Sequence, residues 1–92
     1  MKISRKDDFD GAILNCAVRY ALGRMSYMPG LVIQQIAPIL NDCSDKTLWC
    51  FERDIENWLN ADYSQHAYRE EWSRFLEKVK SEIEKRKNVK YA

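Results

Sequence analysis

Three cysteines, Cys16, Cys43 and Cys50, a single histidine, His66, and several neighbouring carboxylates are the first places to look for chemistry in this 92-residue chain. A thiol nucleophile needs a base to take its proton, and His66 is the only imidazole available. Structural zinc calls for cysteines in short paired spacings or for several histidines, whereas Cys43 and Cys50 stand seven residues apart. With no export signal, three cysteines read as free thiols in a reducing compartment, where free cysteine packs as a small hydrophobe. Carboxylate neighbours such as Asp7 with Asp8, Asp54 with Glu56, and Glu70 with Glu71 would have to converge in a pocket to do acid–base or metal chemistry. Adjacent residues on a helix point in different directions, so these pairs read as solvated helix faces. The sequence also lacks a glycine-rich phosphate loop, a GxSxG elbow, an HExxH helix and a CxxC pair. The expectation is a protein that is not an enzyme, with no catalytic, cofactor-binding or metal-ligating residues.

The elements that carry these residues read as helices. Acidic groups at Asp7, Asp8 and Asp10 suit a helix N-terminus, and Phe9, Ile13, Leu14, Ala17, Val18, Ala21, Leu22 and Met25 follow in steps that make one broad apolar face. Gly23 is placed to end that helix in a left-handed conformation. A connector, Arg24 to Gly30, leads to a second helix from about Pro29 to Leu40, with Val32, Ile36, Ile39, Leu40 and Cys43 inward. Pro38 removes a helical hydrogen bond there, which predicts a kink or an end at Ile36. Ser44 is a suitable N-cap for a third helix over about Asp45 to Leu59, with Leu48, Phe51, Ile55, Trp58 and Leu59 on one stripe. A fourth helix carries Tyr68, Trp72, Phe75, Leu76, Val79 and Ile83 on its apolar side, with Asp62 or Ser64 as its cap. No strand or repeat signal is present. The prediction is one all-α domain over residues 1–92, a helical bundle of about four helices, with 1–6 and 88–92 loose. The Gly11 to Leu40 stretch is where its core is expected to start.

Composition narrows the class. Hydrophobic residues make up 46% and charged residues 32%, a globular balance. No apolar run reaches the ~20 residues of a membrane span, and Met1 to Asp10 lacks the apolar core of a secretory signal. A cytoplasmic protein is expected. A chain this short builds a thin core, which leaves room for an oligomer or partner to add stability.

Two kinds of partner can be read from the side chains. The first is protein. Eleven aromatics exceed what four short helices can enclose, and Tyr, Trp and Arg are the residues that carry binding energy at interfaces. Arg19, Arg24, Tyr27 and Trp49 are the candidate docking residues. Trp49 stands off the apolar stripe of its helix, either at the core edge or offered to a partner. The second is nucleic acid, through a basic C-terminal helix bearing Lys78, Lys80, Lys85, Arg86, Lys87 and Lys90, of which Lys80, Lys85, Arg86 and Lys87 are the candidate phosphate contacts. Interleaved Glu77, Glu82 and Glu84 and a pI near 7.7 weaken that reading. Self-assembly into a structural subunit is a third possibility.

The run AVRYALGRMSYMP, with Asp10-Gly11 before it and Gly30-Leu31-Val32 after it, resembles a pattern in small phage- and prophage-encoded proteins. The resemblance covers about a third of the chain. It implies a mobile-element origin and action in the host cytoplasm by binding a host protein or complex, including defence complexes such as CRISPR nucleases. It supplies no catalytic or binding residues to carry over.

Overall fold

A computed structural model of the chain describes residues 9–61 and 67–90. It is all-α, as the apolar periodicity predicts: α1 Phe9–Ala21, α2 Met28–Ile36, a 3₁₀ helix Ala37–Asp42, α3 Asp45–Asn60 and α4 Arg69–Lys90. The principal contacts join α1 to α2, α2 to α4, α4 to α3 and α3 back to α1, so the four helices close into a bundle. Its thinnest dimension is 18 Å, about two helix diameters, which makes it two helices deep.

Local chemistry explains where each helix starts and stops. At the end of α1, Gly23 takes φ 84° and reverses the chain without the penalty a side chain would incur. Ser26 Oγ accepts a hydrogen bond from Met28 N at 3.3 Å, and Pro29 occupies the first turn of α2, where its missing N–H costs nothing. Helix α2 ends at Ile36, and the chain winds into the 3₁₀ helix with Pro38 in its first turn. Proline therefore changes the helix type rather than kinking a continuous one. Ser44 caps α3, its hydroxyl accepting from Thr47 N at 3.2 Å. Helix α4 runs on to Lys90, so the backbone of residues 88–90 is helical where the sequence suggests a loose tail. The expected caps Asp62 and Ser64, together with His66 and residues 1–6, lie outside the described residues.

The core is weighted toward α3 and α4 rather than toward Gly11 to Leu40. Its largest fully buried side chains include Trp72, Phe51, Phe75, Leu48 and Ile55. Phe51 and Phe75 meet across the α3–α4 seam with ring centroids 6.0 Å apart, and Trp72 and Phe75 meet edge to face with centroids 5.9 Å apart. From the first half come Leu14, Val18, Ala21, Val32, Ile36 and Leu40. The broad apolar face expected on α1 is corrected: Leu14, Val18 and Ala21 are buried, whereas Ile13 is 50% and Met25 68% exposed. A single helix can turn only one stripe toward its neighbours, and here that stripe is the one through Leu14 and Val18.

Helices α3 and α4 run antiparallel, stitched by Arg69 Nη1 donating to the Leu59 carbonyl at 2.9 Å at one end and by Arg86 meeting Asp45 at 2.8 Å at the other. Helices α1 and α3 run in the same direction. Arg19 lies 3.7 Å from Asp54, and Gly23, four residues on, faces Trp58, four residues beyond Asp54. The α2 and 3₁₀ segment serves as the return connection that this parallel pair requires.

Candidate functional site

The surface left uncovered is concentrated on α1 and the connector after it. Tyr27 is 74% exposed, Trp49 57% and Tyr20 54%, and Met25 and Leu31 are exposed as well. Burying a large apolar side chain is worth about 1.5–3 kcal/mol, and of these residues Tyr20, Met25 and Tyr27 lie close together in sequence at the end of α1 and in the connector.

Arg24 is the best-defined member. Its Nε donates to the Tyr20 carbonyl at 3.0 Å, and its guanidinium lies over the Tyr20 ring, 3.9 Å from the centroid. Both contacts pin a long flexible side chain, so less rotamer freedom remains to be lost on binding. Beside it, Arg19, Tyr20, Leu22, Gly23, Arg24, Met25 and Ser26 line an open concavity of about 540 Å³. Its described lining residues include two arginines and no carboxylate, although Asp54 lies 3.7 Å from Arg19. Arg19 is only loosely committed, since its partner Asp54 is also held by Arg53 at 3.2 Å.

Of the four docking residues read from the sequence, Arg19 and Arg24 border this concavity and Tyr27 follows it directly in the chain. Trp49 is not among the lining residues. It lies on α3 one turn before Arg53 and is more than half exposed, so most of its indole stays outside the core. Sequence reasoning missed Ile13 and Met25, which it counted as core, and gave no role to Leu31. The signal for Ile13 was its step of seven to Tyr20, which places the two on one side of α1.

Two of the four candidate phosphate contacts on α4, Lys80 and Arg86, have partners within the fold. Arg86 is mostly buried and reaches Glu82 at 3.0 Å, Asp45 at 2.8 Å, and the carbonyls of Leu40 and Asn41 at 3.3 and 3.2 Å. Burial opposes its charge, but the hydrogen bonds to Asp45 and Glu82 outweigh that and hold the guanidinium above its ordinary value. Lys80 pairs with Glu56 at 3.0 Å, whose hydrogen bond and charge raise the ammonium above the usual lysine value. Lys85 and Lys87 remain exposed, separated along the helix by the engaged Arg86.

No chemistry is assembled elsewhere among the described residues. Cys16 is exposed, Cys50 half-buried and Cys43 buried, all as free thiols, so the expectation that each packs as a small hydrophobe fails for Cys16. Among the described residues no three His, Cys, Asp or Glu side chains gather into a metal-binding group, and no helix is long and apolar enough to cross a membrane. Comparison with protein-family models, curated proteins and solved structures gave no match.

Proposed function

We propose that this chain is a non-catalytic protein-binding module of phage type, which acts in the host cytoplasm by docking on a host protein complex, with a defence complex such as a CRISPR nuclease as the target class. The observation that carries this reading is the α1–α2 connector, where Arg24 is pre-set on Tyr20 beside the exposed Met25 and Tyr27. Arginine and tyrosine flanking a concavity form the kind of anchor that dominates binding energy at protein interfaces. The sequence run that resembles phage-encoded proteins spans this same connector. The nucleic-acid alternative draws less support, because Arg86 and Lys80 are tied to carboxylates of their own fold.

The test is a plating assay on a bacterial host immunised by a CRISPR nuclease against the challenging phage, with and without the chain expressed. The expected result is restored plaque formation with the wild type and loss of that effect with Met25→Ser/Tyr27→Ala, both proteins accumulating equally. Unchanged immunity against the nuclease types tried would remove the defence assignment. Equal effect of wild type and variant would remove the connector from the site.

A further inference from the structure

Helix α1 carries two stripes of heptad spacing, and only one of them is used by the bundle. The inner stripe, Gly11, Leu14, Val18 and Ala21, is buried. The outer stripe begins one residue earlier and runs Asp10, Ile13, Ala17 and Tyr20, with Arg24 folded back onto the Tyr20 ring to extend it. Ile13 and Tyr20 are each at least half exposed, and the exposed Cys16 lies beside Ala17 at the middle. A surface helix ordinarily sets charged residues on the side away from its core, yet the chain from Gly11 to Val18 has none. The outer stripe has the pattern of a helix seam without a partner helix.

We propose that the partner is α1 of a second copy, packed antiparallel about a two-fold axis between Cys16 and Ala17. The spacing is self-complementary about that point. Reversing the helix there sets Ile13 opposite Tyr20 of the other copy and Cys16 opposite Ala17, and brings Asp10 beside Arg24. Small side chains at the crossing let the backbones approach, and the larger apolar ones fill the space on either side. Charge selects the direction. In a parallel pair Asp10 would face Asp10 and Arg24 would face Arg24, whereas the antiparallel pair joins opposite charges at both ends and opposes the helix dipoles favourably. Two-fold symmetry makes each contact occur twice, so a modest patch yields a doubled gain. Because Tyr20 and Arg24 belong to both the seam and the connector concavity, dimerisation and docking through Arg24 compete, while Met25, Tyr27 and Trp49 stay outside the seam.

Sedimentation equilibrium over a wide concentration range tests this, using surface variants whose helicity is checked by circular dichroism. The wild type is expected to dimerise and Ile13→Glu to remain monomeric. Asp10→Arg and Arg24→Asp are each expected to weaken the dimer by about fivefold, and the double exchange to restore it. A short bismaleimide should join two wild-type copies through Cys16, and Cys16→Ser should prevent this. A wild type monomeric throughout the range, a dimer indifferent to Ile13→Glu, or a double exchange that fails to restore association would each overturn the proposal. The plating assay reads residues 25 and 27, outside the seam, so the two ideas fail separately.

Discussion

At Gly23 the chain turns with a positive φ directly over the indole of Trp58, and a Cβ built there would sit 3.4 Å from Nε1. The left-handed backbone alone costs a side chain roughly 1–2 kcal/mol. Gly23→Ala is therefore expected to lower stability by about that amount in urea denaturation, and the same loss should misplace the connector that follows. Arg86 is the second residue on which much depends, since it ties α4 to Asp45 and to the 3₁₀ carbonyls of Leu40 and Asn41. Arg86→Met keeps most of the stem and removes the fork. A loss of about 1.5–3 kcal/mol is expected for hydrogen bonds to a charged group, measured as a shift in denaturation midpoint. The role of Arg86 was not legible in the sequence, because its partner Asp45 lies 41 residues away. From the sequence alone Arg86 reads as one cation among several near a helix end.

Among the elements, α3 and α4 were the most legible. Their apolar steps of three and four predict Leu48, Phe51, Ile55, Trp58 and Leu59 on one stripe and Tyr68, Trp72, Phe75, Leu76, Val79 and Ile83 on the other, and all are buried except Leu59 and Tyr68, which are half-buried against the core. Ser44 and Pro38 likewise fix an N-cap and the end of α2 by local chemistry that tertiary contacts do not override. Ser44→Ala should cost about 1 kcal/mol, read as a lower denaturation midpoint with an unchanged slope. Phe51→Ala removes a ring packed on Phe75 and should cost about 3–5 kcal/mol, enough to unfold a domain of marginal stability. Helix α1 was less legible for a specific reason. Its two apolar stripes lie one residue apart, so in sequence they merge into a single broad face. Only the positions of α2 and α3 decide which stripe is covered. Exposed Ile13 thus reads as core until its neighbours are placed.

For the whole molecule, composition indicated the class and said little about the site. A net charge of +1 and a helical bundle suit many roles, and function resides in the surface rather than the fold. The structure separates two regions that composition cannot. On α4, Lys80 and Arg86 are paired within the fold while Lys78, Lys85 and Lys87 stay exposed, and the connector keeps Arg24, Met25 and Tyr27 outward. Glu77 and Glu84, exposed among these lysines, offset their charge, so electrophoretic mobility of duplex and single-stranded DNA and RNA at low salt should be unchanged by the protein. A shift that weakens steeply with added salt would instead favour phosphate binding through Lys85 and Lys87. The connector's role is tested most directly by placing a photo-cross-linking amino acid at position 27 and, as a control, at the exposed position 78 on α4, then irradiating host cells that express each variant. Docking through the connector predicts a covalent adduct heavier than two copies of the chain from position 27 and none from position 78. Equal adducts from both positions, or none from position 27, would contradict it.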